Sequence, residues 1–212
     1  MYLRAEVAGE SLDLLPDKAV FWPDQKALLI ADPHFGKAEH FNRAGIQVPK
    51  GVKYQNWQRL FRVLHLPDLE EVIFMGDLFH SDFNNEWKDF EHIMAHFPHI
   101  TFHLVLGNHD IFPEEIYHRS GLVLHESMKR GPFHFTHEPE PGGEGYNLAG
   151  HIHPAVRLKG AGRQSLRLPC FFFGRDHGIL PAFGTFTGTY TLKPKKGDRF
   201  YAIADNEVIN LS

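Results

Sequence analysis

Five short motifs carry side chains suited to holding metal ions: Asp32-Pro33-His34, Gly76-Asp77, Gly107-Asn108-His109-Asp110, the isolated His137, and Gly150-His151-Ile152-His153. Their donors are oxygens and imidazole nitrogens, a set that suits Mn²⁺, Fe or Zn²⁺ better than a thiophilic ion. The chain has 16 histidines but a single cysteine, Cys170, which excludes an intramolecular disulfide, a zinc ribbon, an iron–sulfur cluster and a Cys-x-x-Cys redox site. Asp32 and His34 stand two residues apart, as do His151 and His153, a spacing that points both members to one side of an extended segment. Singly, each motif reads as a turn or an ordinary polar residue. His65, His92, His96, His99, His103, His118, His125 and His177 keep that reading. All five motifs in one chain, each behind an apolar run, point to a metal centre.

The elements that must position these groups are legible from hydrophobic pattern. Ala27–Ala31, Val72–Met75 and Leu104–Leu106 are short continuous apolar runs, as in strands buried on both faces. Tyr54–Leu64 places Trp57, Leu60, Phe61 and Leu64 at helical spacing, and Glu86–Phe97 does the same with Trp87, Phe90, Ile93, Met94 and Phe97. Steps of 43 residues from His34 to Asp77, 31 to Asn108 and 29 to His137 match one strand–helix–strand unit each. Parallel strands so connected bring their carboxyl ends to one rim, where ligands bind in open sheets. The first 25 residues alternate as antiparallel strands do. A short helix is expected at Pro113–His118, then strands near 121–127, 132–137, 146–150, 165–173 and 199–210. The expected architecture is an α/β (α+β) fold of two facing sheets with helices outside.

Hydrophobic content of 42% and charged content of 23% are those of a globular chain, and 212 residues suit one domain, 1–212. The amino-terminal residues lack the basic-then-apolar pattern of a secretory signal, and no apolar run reaches the roughly 18 residues of a membrane helix. A soluble cytoplasmic protein with no membrane contact is expected. Net charge is −4, but residues 157–199 hold nine basic residues against Asp176 and Asp198, so the rest of the chain carries −11. That asymmetry fits either a polyanionic partner or a solvated strand face. Cys170 and Phe171–Phe173 form an apolar run expected in the β core.

On these five motifs the sequence resembles the calcineurin-like metallophosphoesterases, over residues 27–154. The resemblance implies a four-layer metallophosphoesterase-type fold, two facing mixed sheets flanked by helices, with a centre of two divalent metal ions on the rim. It assigns one metal to Asp32, His34, Asp77 and His153, and the other to Asp77, Asn108, His137 and His151, with Asp77 bridging. His109 becomes the non-ligand catalytic histidine. Manganese is the first expectation, with iron, zinc and magnesium as alternatives. Two such ions acidify a shared water for in-line attack on phosphorus, while a positioned acid such as His109 contributes about 10²–10⁴ in rate. In the serine/threonine phosphatase branch an aspartate three residues after the Gly-Asp carboxylate orients the catalytic histidine. His80 stands there in this chain, leaving Asp82 or Asp110 to take that role, or His80 to touch substrate.

Ala31–Lys37, Gly45–Pro49 and Leu180–Gly188 look like the bacterial DNA ligase-associated metallophosphoesterases, with Pro33 where that family usually has leucine. This extends the resemblance to nearly the whole chain. It implies a phosphodiester substrate, DNA, and association with a DNA ligase, a helicase and a nuclease of one repair set. Lys37 is a candidate for a substrate phosphate, weighed against a solvated lysine at a helix start. The competing readings are a phosphoesterase of nucleotides or small esters, and a metal-free binding scaffold.

Overall fold

The computed structural model describes residues 2–43, 45, 48, 51–80, 85–160 and 164–212. Asp82, Arg163 and, within the Gly45–Pro49 motif, Ile46, Gln47 and Pro49 lie outside the described residues.

The chain opens with β1 (Leu3–Val7), β2 (Glu10–Leu15), β3 (Ala19–Trp22) and β4 (Ala27–Ala31). These pair antiparallel in sequence order. There follow α1 (Lys37–Arg43), α2 (Val52–Leu64), β5 (Glu71–Met75), α3 (Asn85–Ala95), β6 (Thr101–Val105), α4 (Glu114–Arg119) and β7 (Leu122–His125). β5, β6 and β7 are each parallel to the strand before. The product is a seven-stranded mixed sheet in the order β1 to β7.

The second half contributes β8 (Met128–Arg130), β9 (Phe133–Phe135), β10 (Tyr146–Ala149), β11 (Pro154–Lys159), β12 (Ser165–Phe173), β13 (His177–Ile179), β14 (Tyr190–Thr191), β15 (Arg199–Ala204) and β16 (Glu207–Asn210). They form a second mixed sheet in the order β14-β11-β12-β13-β10-β9-β8, with β15 on β12 and β16 on β15. The expected strand over 199–210 is thus two, folded back at Asp205, whose φ of 46° makes the turn. β8, β11, β13 and β14 were not anticipated, and of the short α1 only a helix start at Lys37 was.

Alternation along β4 divides the molecule. Leu28 and Ile30 face a cluster with Trp57, Leu60 and Leu64 of α2 and Trp87, Phe90 and Met94 of α3. Leu29 and Ala31 face the second sheet, joining Phe133, Phe135, Leu148, Phe171 and Phe173. Both faces of the central strands are therefore buried, which is why their sequences are continuous apolar runs. Phe35 stacks on Trp57 with ring centroids 4.2 Å apart, anchoring the segment after β4 to α2. Burial of each such side chain stabilises by about 1.5–3 kcal/mol. Phe61 departs from expectation: it is 46% exposed and leans on His65 and Phe97, while Val63 fills the core. Cys170 is buried with Val156, Phe172 and Phe200 on the outer face of the second sheet. Among the described residues no helix is long and apolar enough to cross a membrane.

Candidate metal centre

Parallel pairing of β4, β5 and β6 puts their carboxyl ends on one rim, and Asp32, Asp77 and Asn108 follow those ends. On the facing sheet β9 and β10 are also parallel, and His137 and His151 each come two residues after their strand. The two rims meet where the His151 N–H, after β10, donates to Asp32 Oδ2, after β4, at 2.8 Å. Residues far apart in the chain thus converge because two parallel registers end at the same level.

Two groups of donor atoms result, Asp32 with His34 and His153, and Asp77 with His137 and His151, each within 4.8 Å. In the first group His34 Nε2 is 3.4 Å from His153 Nε2, which is 3.6 Å from Asp32 Oδ1. In the second, His137 Nε2 is 3.4 Å from Asp77 Oδ1 and 3.0 Å from His151 Nδ1. Asn108 Oδ1 lies 2.9 Å from the same His137 nitrogen. Asp77 faces both groups, since its other oxygen, Oδ2, stands 3.6 Å from His34 Nε2. Ligands at about 2.0–2.2 Å from an ion stand up to about 4.4 Å apart, so each group has the span of one cation. The residues fit a pair of metal ions with Asp77 between them.

The backbone is bent to make this fit. Asp32, His34, Asp77, His151 and His153 all have positive φ, between 46° and 64°, a region costly for residues with a Cβ. Gly76, at φ 78°, packs so closely under His137 that a Cβ there would lie 2.0 Å from its Nδ1. A Cβ on Gly107 would meet the Asp77 backbone N and Oδ1 at 2.5 Å, and one on Gly150 would meet Asp32 Oδ2 at 2.5 Å. These glycines allow close approach of chain to carboxylate.

Hydrogen bonds behind the donors fix their orientation. The His151 N–H donates to Asp32 Oδ2 at 2.8 Å, and the His109 N–H to Asp77 Oδ1 at 3.0 Å. His137 Nδ1 faces the Met75 carbonyl at 3.2 Å, and His153 Nδ1 the Gly188 carbonyl at 3.1 Å. Asp110 accepts from the N–H groups of Asp77, Leu78 and Gly107 at 2.8–2.9 Å. Its carboxylate therefore ties two rim loops together. Burial pushes the Asp110 carboxyl up to about 7, against the pull of those N–H donors. Burial, followed by the charge of Lys37, pushes the His34 imidazole down, which favours the neutral ring whose one unprotonated nitrogen can meet a cation.

His109 uses its backbone on Asp77 and leaves its ring beside His80 and His34, at centroid distances of 4.9 and 5.6 Å. Burial, then Lys37 and His109, push His80 down to about 4. Lys37 begins α1 half-buried; burial lowers its pKa while the Asp77 and Asp32 carboxylates raise it. All ten residues singled out for the site, Lys37 and His80 included, gather at this rim.

Residues 183–190 form a wall of the site that no sequence motif marks as such. The Phe183 N–H donates to the Ala31 carbonyl at 2.8 Å, and a Cβ on Gly184 would lie 2.6 Å from the Pro33 oxygen. The signal was present in the Leu180–Gly188 motif, although nothing in it names a contact. His40 and Phe41 of α1 also border His80, Phe41 lying 5.6 Å from Phe186.

The family model described as calcineurin-like phosphoesterase matches residues 26–174. The chain is also similar to a solved structure, a nuclease termed MPE from Pseudomonas putida, at 32% identity over 100% of both chains with a TM-score of 0.81. No curated protein sequence matches significantly.

Proposed function

Because this chain belongs to the calcineurin-like phosphoesterases and is a metal-dependent phosphoester hydrolase, we propose that it is a nuclease, a phosphodiesterase cutting DNA in repair. The observation that carries this reading is the pair of donor groups with Asp77 facing both, and likeness to a nuclease along both entire chains supports it. One ion is held by Asp32, His34, Asp77 and His153, the other by Asp77, Asn108, His137 and His151. Manganese is the ion proposed, and residues 1–212 act as one domain in the cytoplasm, alongside a DNA ligase, a helicase and a nuclease of the same repair set.

When bound, two dications neutralise phosphoryl oxygens and lower the pKa of a water. The chain's own groups do the rest. Asp32 and Asp77 are held by the His151 and His109 backbone N–H groups, so their lone pairs stay aimed into the centre. The His109 imidazole, free of that hydrogen bond, delivers a proton to the leaving oxygen. Lys37 sets positive charge beside the carboxylates, where a substrate phosphate arrives, and His80 lines the same edge.

A panel with Mn²⁺ tests this: bis-p-nitrophenyl phosphate, p-nitrophenyl phosphate, cyclic nucleotides and looped DNA. Diesters and DNA should be cleaved, by a protein carrying two metal equivalents. Turnover of the monoester or cyclic nucleotides alone would replace the nuclease reading with a small-ester phosphatase, and a protein that takes up no metal would leave a binding scaffold. Asp77→Asn should lower metal content at both positions; a fully loaded variant would refute its bridging role.

A further inference from the structure

The basic stretch 157–199 is not one patch in space. Arg175, Lys193, Lys195 and Lys196 line a cleft over the outer face of the second sheet. Arg157 and Lys159 of β11 and Arg167 of β12 form a separate group on a hairpin that leaves the metal centre directly, Pro154 following His153.

The register of that hairpin sets Arg157 opposite Arg167 and Lys159 opposite Ser165. Like charges directly opposed across a ladder destabilise it. Among the described residues no carboxylate pairs with Arg157, Lys159 or Arg167, and all three are exposed. Alternation puts Arg167 on the face that, further along β12, carries Phe171 and Phe173 into the space between the sheets. The arginine pair lies where that inner face runs out past the rim. β14 pairs with Pro154 and Ala155, and among the described residues no strand pairs with the outer edge of β11 from Val156 onward. Four residues of strand at about 3.3 Å each set Arg157 about 13 Å from His153, a span of a few nucleotides. The planar guanidinium suits bidentate binding of phosphate oxygens.

We propose that the β11–β12 hairpin is a backbone clamp, in which Arg157 and Arg167 bind non-scissile phosphates of a nucleic-acid strand whose scissile phosphate lies at the metal rim. This rests on the nuclease reading above and adds the place where the strand is held. A polyanion relieves the opposed charges that nothing among the described residues relieves. A small diester never reaches the hairpin, so the clamp acts on long substrates alone.

The test compares wild type with the Arg157→Ala/Arg167→Ala double variant on bis-p-nitrophenyl phosphate and on a long DNA oligonucleotide, both with Mn²⁺. Small-diester kcat and KM should stay within twofold. KM for the oligonucleotide should rise about tenfold, and the slope of log KM against log salt should become shallower by about 1.4–1.8 for two lost phosphate contacts. The Arg→Lys double variant should restore most of the salt slope. An unchanged oligonucleotide KM, or an equal loss on both substrates, would overturn the clamp. If wild type hydrolyses the small diester but no DNA, the nuclease reading fails by itself. Fluorescence anisotropy with a labelled strand then decides the clamp, since equal affinity of wild type and double variant would refute it.

Discussion

On the proposed reading, His109 serves the site twice. Its N–H braces Asp77 while its ring stands beside His80 and His34, so the brace does not depend on the side chain. His109→Ala should therefore retain both metals by elemental analysis and lose about 10²–10⁴ of kcat. Normal turnover in that variant would remove the imidazole from the chemistry. Asp110, two residues after Asn108, is one of two carboxylates, with Asp82, that the sequence offers as a partner for His109. Its oxygens are occupied instead by three backbone N–H groups, which leaves it a brace for the rim. Motif spacing can nominate a carboxylate, but only the path of the chain shows which donors it meets.

At the scale of elements, strand ends make the site and a polar seam closes the far side of the sandwich. His103 of β6 places Nε2 3.4 Å from Glu71 of β5 and Nδ1 3.0 Å from His125 of β7, while Arg130 of β8 pairs with Glu71 across the sheets. Burial holds both imidazoles below their usual range, Arg130 acts in the same direction, and Glu71 opposes this at His103. The unfolded chain titrates near about 6.5, so it binds protons that the folded chain refuses. The stability of the seam is thus complete above that pH and falls as pH drops below it. Urea midpoints at pH 7.5 and 5.5 should fall less for His103→Gln than for wild type; equal falls would show that the seam does not titrate. The same scale explains the missed elements. α1 reads KAEHFNR, with no apolar stripe, and β11 reads PAVRLK, half of it exposed. Neither is selected by burial of a repeating face, which is the signal that sequence pattern carries.

For the whole molecule, the centre joins two halves that fold from separate stretches of chain. Asp32, His34, Asp77 and Asn108 belong to the first sheet's rim, His137, His151 and His153 to the second's. Cations held by both sets would act as a cross-link, offsetting the strain of five residues at positive φ. Metal-stripped protein should gain about 2.7 kcal/mol at a metal concentration 100 times Kd. Differential scanning calorimetry with added Mn²⁺ reads this as a rise in Tm; a Tm indifferent to metal would count against the assigned centre.

The sequence alone nominated the donor residues, because five motifs behind apolar runs, three of them opened by a glycine, are visible as residue types at spacings. It also determined the two-sheet class, since strands buried on both faces must be continuously apolar and the second half must be β. Only the tertiary structure decided that Asp77 faces both groups, that Asp110 binds backbone, and that the basic run divides between a cleft and the β11–β12 hairpin. Those facts depend on which strand ends reach the same level and which side chains a register opposes. Pairings such as Asp32 with His153, 121 positions apart, are set by packing in three dimensions, and no local pattern encodes them.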